Sequence, residues 1–224
     1  MIKNKLLFQI NSTINNSDID NIKYTTKIVE DEQISQLISF DYKSILDSPA
    51  KNSSISTLEE LIYISKITHN RTDKDIEFVN KIDKNPASLI IDFCNNKNII
   101  FPKTDFDQLY NIIKPLILNT KYYFNRARPY QLAKFYGLTL NIIETDTHDT
   151  PSYPSGHTVY ARLAANLVLK SNPEFQYELD LIVNKSAQAR VLQGVHYPSD
   201  NKASIIFTDY IFKKLIDKNW RKNP

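Results

Sequence analysis

Pro154-Ser155-Gly156-His157, at the mouth of the apolar run Val159 to Leu169, is a combination able to hold an anion. A Pro-Ser-Gly stretch at a helix start leaves backbone N–H groups pointing outward with little bulk over them, at the positive end of the helix dipole. A histidine there can exchange protons with whatever anion is held. Further along, His196 precedes Pro198, a residue suited to the first turn of a helix, and Asp200 falls in that turn. A carboxylate accepting a hydrogen bond from Nδ1 fixes the ring's tautomer and leaves Nε2 with a free lone pair, the state a nucleophilic imidazole needs. Three cations flank these segments, Lys121 and Arg128 before and Arg190 after. If a helix persists from Lys121 to Arg128, the seven-residue spacing puts both on one face, about 10 Å apart along the axis. Pro129 biases Arg128 out of the helix, so Arg128 is expected to mark its end and turn inward. Alone, this pair also fits a solvated basic face in a chain with 28 Lys+Arg. Together with both histidine segments, the reading is convergence on one phosphate.

The elements that would carry these groups read as helices. Ser56 or Thr57 followed by Glu59 and Glu60 suggests a capping box ahead of a stripe at Leu58, Leu61, Ile62, Ile64 and Ile67. Thr72 with Asp73 and Asp75 opens a second helix, and Asn85-Pro86 a third with proline at its first position. A longer helix runs from about Thr104 toward Phe124, with a kink expected at Pro115. A short helix after Pro129 reaches Gly137, and Leu138 to Pro154 is a connecting loop. Helices follow from Ser155 to about Ser171, from about Glu174 to Gln193, and from Pro198 onward. The expected fold is all-α, a helical bundle over residues 55–224. Residues 1–54 form an extension that is irregular or mixed, with short apolar stretches at Lys5 to Ile10 and Tyr24 to Val29.

The totals bound the possibilities. A chain of 224 residues is long enough for one domain with its own core. Hydrophobic residues at 42%, charged residues at 24% and a mean hydropathy of −0.39 suit a soluble globular protein. A net charge of +3 is too small to imply nucleic acid, and no apolar run approaches the roughly 18 to 20 residues of a spanning helix. The N-terminus lacks a small-residue cleavage site, so a cytoplasmic location is expected. The single Cys94 cannot pair within the chain and is expected to be a buried small hydrophobe. Two of the 3 glycines, Gly156 and Gly194, fall inside the reactive segments, where a side chain is expected not to fit. The 13 Tyr and 11 Phe recur at helical spacing and read as core, with Tyr123, Tyr153 and Tyr197 lying beside the motifs. The tail from Lys213 to Lys222 reads as solvated.

Lys121 with six residues before Arg128-Pro129, then Pro154-Ser155-Gly156-His157, then Arg190 with five residues before His196 and three before Asp200, resembles the signature of the type 2 phosphatidic acid phosphatase (PAP2) superfamily. Tyr136-Gly137 and Ser152 to Thr158 are most similar to its soluble branch, the class A bacterial non-specific acid phosphatases. The resemblance covers about Thr104 to Ile216. It implies that Lys121, Arg128, Arg190, Ser155 and the Gly156 N–H bind phosphate oxygens. It further implies that His196 attacks phosphorus to give a phosphohistidine, that Asp200 orients it, and that His157 protonates the leaving alkoxide and later activates water. The substrate would be a small phosphate ester and no metal or other cofactor would be needed, though vanadate could stand in for phosphate. A homo-oligomer would be compatible. Ala189 departs from the serine the family usually places before the arginine, which should tune binding without abolishing chemistry. The soluble relatives are typically exported, which the missing leader does not match.

Three other readings share these residues. In vanadium-dependent haloperoxidases the same constellation holds vanadate, but those enzymes are generally larger, with a halide-shaping pocket not found here. His148-Asp149 with His69 could belong to an HD-type metal-dependent phosphohydrolase, although their spacing and polar loop context favour a surface pair. A non-catalytic helical protein that keeps a phosphate cradle would be favoured by loss of His196 or Asp200, and both are present.

Overall fold

The computed structural model describes residues 16–25, 41–145 and 148–217, and among these every regular element is helical. In chain order they are α1 (Asn16–Asp20), α2 (Tyr42–Ile45), α3 (Ile55–Asn70), α4 (Asp73–Lys84), α5 (Ser88–Asn96), α6 (Lys103–Phe124), α7 (Pro129–Ala133), α8 (Gly156–Leu169), α9 (Gln176–Leu192) and α10 (Pro198–Asp217). Short 3-10 turns follow α7 at Lys134–Tyr136 and precede α9 at Pro173–Phe175. The all-α expectation is met. No described helix is long and apolar enough to cross a membrane.

Helix α8 is the axle. It is buried on nearly all sides from Thr158 to Val168, as a helix apolar around its circumference must be. Its small residues Ala161, Ala164 and Ala165 let α6, α9 and α10 pack closely around it. Ile113, Leu116 and Ile117 of α6, Val183 of α9 and Phe207 and Ile211 of α10 complete this core. Arg162 of α8 ties that helix to two of its neighbours, donating to Asp180 of α9 and, at 2.7 Å, to Asp209 of α10. A second core lies between α3, α7 and the Val191 to Tyr197 turn, and a third joins Val79 and Ile82 of α4 to Ala189 of α9.

Local chemistry sets the helix ends. Thr72 and Asp75 form a reciprocal capping box, as their spacing predicts. For α3 the cap is Ser54, whose side chain accepts from the Thr57 N–H, two or three residues earlier than the expected Ser56 or Thr57. The third helix begins at Ser88, with Pro86 in the preceding turn instead of the first helical position. Pro115 lies inside α6 without ending it. The N-terminal segment is stitched to the body: Ile19 is buried in the second core, the Asp20 carboxylate accepts from the Ser53 N–H at 2.8 Å, and Asn125 exchanges two hydrogen bonds with the Tyr24 backbone. Lys5 to Ile10, Ile28-Val29 and the tail beyond Asp217 lie outside the described residues. Cys94 is buried, and Lys213 and Lys214 are exposed.

Candidate active site

Lys121 and Arg128 do not share a helix face. Helix α6 stops at Phe124, and Asn125 takes a left-handed conformation (φ 49°) that turns the chain, a conformation asparagine tolerates better than most residues. Arg126 to Arg128 then run outside the helix, and Arg128 is extended (φ −75°, ψ 155°) ahead of Pro129. The turn brings Arg128 inward, and neither cation belongs to a solvated face: Lys121 is 4% exposed and Arg128 1%. Lys121 Nζ donates to the Pro151 carbonyl at 2.6 Å, and Arg128 donates to the Thr150 and Val195 carbonyls, each at 2.9 Å.

Gly194 has φ 86° and is what lets the chain leave α9 and present His196. A Cβ there would lie 3.0 Å from Ile142 and 3.3 Å from Thr68. Gly156 differs, since a Cβ would only touch Ile117 at 3.9 Å, so the free chain does not require glycine at this position. His196 is buried, with Nδ1 3.0 Å from Asp200 Oδ2 and Nε2 2.9 Å from Arg128 Nη1. These partners assign the tautomer: Nδ1–H donates to the carboxylate, and Nε2 accepts from the guanidinium. Asp200 also accepts from the Ser152 hydroxyl and, at 2.9 Å, from the Tyr197 N–H.

Arg126 completes this pair and is absent from the sequence reading. It donates to Asp200 Oδ1 at 2.6 Å and to Glu60 at 3.0 Å, and its guanidinium lies 3.8 Å from the centre of the Tyr197 ring. Glu60 in turn accepts from the Ser199 N–H and hydroxyl, both at 2.7 Å, which ties α3 to the start of α10. Burial alone would push the Asp200 carboxyl up, but Arg126, the His196 ring and Ser152 hold it well below the usual carboxylate range. Burial and the Arg128 guanidinium push His196 well below an ordinary imidazole, outweighing Asp200. The ring is therefore neutral at neutral pH, and Nε2 carries no proton.

Asp83, at the end of α4, is the second functional group the sequence did not single out. Its carboxylate pairs with Arg190 Nη1 and accepts from the Thr145 hydroxyl at 2.8 Å. Its Oδ1 also lies 3.4 Å from His157 Nε2, and its carbonyl 3.3 Å. His157 thus joins the cluster through Asp83. Burial and Arg190 pull His157 down, while Asp83 opposes them. Burial likewise lowers Arg190, to about 10, and Lys121 is pushed well below an ordinary ammonium by burial and then by Arg128. An arriving dianion would relieve all of these strained cations. Burial lowers Arg128 as well, partly offset by Tyr24, which gives one residue of the N-terminal extension a place beside the site.

Ser155 caps α8, its hydroxyl accepting from Thr158, and its N–H donates to Ser204 Oγ at 2.8 Å. Ser155, Arg128, Arg190 and His196 are all buried, as is Lys121, which together with Gly156, His157 and Asp83 lines an open cleft of about 350 Å³. Ala189 is fully buried against Val79 and Ile82 of α4, so its methyl seats the helix that delivers Asp83. Of the neighbouring tyrosines, Tyr123 is exposed, Tyr153 is buried and donates to the Asp47 carbonyl, and Tyr197 supports Arg126. His69 sits on the Ser65 carbonyl at 2.8 Å and His148 faces Glu144 at 3.7 Å. Among the described residues no three His, Cys, Asp or Glu side chains group as a metal site.

Residues 109–213 match the family profile described as PAP2 superfamily. Non-specific acid phosphatases of Salmonella typhimurium and Salmonella typhi are 34% and 33% identical over 110 residues, which is 45% of this chain and 43% of theirs. The matched stretch is thus less than half the length of those relatives. Among solved structures, a transmembrane PAP2-type phosphatidylglycerolphosphate phosphatase from Bacillus subtilis superposes with a TM-score of 0.49 at 17% identity, over 86% of this chain and 94% of that one.

Proposed function

Because residues 109–213 of this chain match the PAP2 superfamily profile, we propose that it is a metal-independent phosphomonoesterase working by double displacement through His196. Lys121, Arg128 and Arg190 bind the phosphoryl oxygens, with Ser155 and the Gly156 N–H at the start of α8. His196 Nε2 attacks phosphorus, the ester oxygen departs with a proton from His157, and a phosphohistidine results. Water, deprotonated by His157, then attacks phosphorus and restores His196 as phosphate leaves. Asp200 keeps the ring in the reactive tautomer and stabilises the charge it gains.

The observation that carries this reading is the His196 ring, held by Asp200 on one nitrogen and facing a guanidinium with the other. The Arg128 N–H lies on the lone pair that the phosphorus would take, so substrate must exchange that bond for its own contacts with Arg128. Charge on the equatorial oxygens is met by three fixed cations in a buried site, where such groups act strongly on the transition state. Side chains supply the positive charge that a metal supplies elsewhere, which supports independence from metals; vanadate would bind as a phosphate mimic.

Hydrolysis of p-nitrophenyl phosphate in excess EDTA tests this. Activity should persist, quenched enzyme should carry an acid-labile, alkali-stable phosphoryl group, and His196→Ala should lose both. Activity that disappears with chelator and returns with a divalent cation, or wild-type turnover in His196→Ala, would overturn it.

A further inference from the structure

The cleft that reaches His157 is much larger than a phosphoryl group needs. Its 350 Å³ falls within the range of small-molecule sites, about 300 to 1,000 Å³. One wall is a single face of α6: Tyr110, Lys114, Ile117 and Lys121 are spaced by four, three and four residues, which stacks them along the helix. From Lys121, a proposed phosphate ligand, this face extends eleven residues, roughly 16 Å. The opposite wall is α8, where Tyr160 follows His157 by one turn on the same side.

The walls are aromatic and prearranged. Tyr110 and Tyr160 meet edge to face with ring centres 4.6 Å apart, and the buried Phe106 braces both, at 6.2 Å and 4.6 Å. Leu118 adds apolar surface, and the exposed Lys84 and Lys114 place two ammonium groups at the cleft. Asp83, its one carboxylate, is committed to Arg190 and Thr145.

We infer that this cleft is a leaving-group subsite selecting phosphate esters of ring-bearing, apolar alcohols over those of small polyols or amino alcohols. The inference rests on the phosphomonoesterase reading, and on three physical points. With phosphate at Lys121 and Gly156 and the ester oxygen at His157, the alcohol has this cleft to occupy. Apolar walls reward a ring and leave a polyol's hydroxyls without partners. Two ammonium groups repel a cationic substituent.

Phosphonates, which cannot be hydrolysed at the P–C bond, separate binding from turnover. Calorimetric titration of the full chain with benzylphosphonate, methylphosphonate and 2-aminoethylphosphonate should give a benzyl-to-methyl affinity ratio of about tenfold or more. The aminoethyl compound should bind more weakly than the methyl one. Tyr160→Ala should shrink the benzyl-to-methyl ratio toward one, and Tyr110→Ala serves the same comparison if Tyr160→Ala does not fold. Equal affinities for benzyl- and methylphosphonate would remove the subsite and leave the phosphate cradle standing. Absence of binding by all three would remove the cradle, and the function proposed for it, as well.

Discussion

Arg126 donates to one oxygen of Asp200 at 2.6 Å while the other oxygen receives the His196 ring, so a single buried carboxylate couples a guanidinium to the nitrogen opposite the reactive one. Arg126 makes the charge on Asp200 tolerable in a site where burial opposes it. Arg126→Ala leaves that carboxylate without its ion-pair partner and should cost about 3–5 kcal/mol in chemical denaturation. Arg126→Lys keeps the charge but cannot span Asp200, Ser199 and Glu60 together, so it should retain most of the stability and lose kcat, by roughly 100-fold if the ring is misplaced by an ångström. A lysine variant with unchanged kcat would mean that Arg126 serves stability alone.

Asp83 offers a separate test, on His157. Its carboxylate is the group that favours the imidazolium there, against burial and Arg190. Asp83→Asn removes that support and lowers the His157 pKa further. The flank of the kcat profile on which the acid loses its proton, the alkaline one, should therefore move to lower pH. A profile that keeps its alkaline flank while kcat falls would indicate that Asp83 acts only through Arg190.

What the sequence made legible was local. His196, Pro198 and Asp200 lie within one turn, so spacing alone pairs ring and carboxylate, and Pro129 fixes the backbone of Arg128. Asp83 and Glu60 had no such signal. Their partners lie 107 and 139 residues away at Arg190 and Ser199, and nothing local distinguishes them among 25 Asp+Glu. Arg126 had no local signal either, since Pro129 restricts only the backbone of Arg128 directly before it. The helix expected to run toward Phe124 does end there, but its continuation to Arg128 fails for a related reason. Whether a helix continues through Asn125 depends on the left-handed turn that this residue adopts while bonding Tyr24, a contact from a segment that periodicity could not place.

The acid role of His157 can be isolated by leaving group. A positioned acid contributes roughly 100- to 10,000-fold when the departing alkoxide is basic, and little when it departs unaided. His157→Ala should therefore slow ethyl phosphate hydrolysis far more than p-nitrophenyl phosphate hydrolysis, measured as kcat on one preparation. Equal losses on the two substrates would place His157 in binding instead of proton transfer.

Acid should destabilise the protein before it protonates the carboxylates. His196 and His157 both have folded pKa values below their unfolded ones, through burial and then through Arg128 and Arg190 respectively. Such a ring takes up its proton only on unfolding, so the stability it contributes is complete above about pH 6.5 and falls as pH drops below that value. Each histidine kept neutral adds a slope of up to about 1.4 kcal/mol per pH unit. Asp200 and Asp83, whose carboxyls are held low by their cationic and hydroxyl partners against burial, extend the loss below about pH 4. Urea unfolding between pH 8 and pH 5 should show this decline, and His196→Gln, which keeps polar atoms but cannot titrate, should flatten it. A wild-type stability that stays level from pH 8 to pH 5 would mean that the rings accept protons in the folded chain as readily as in the unfolded one, and Nε2 of His196 would then keep its lone pair only above about pH 6.5.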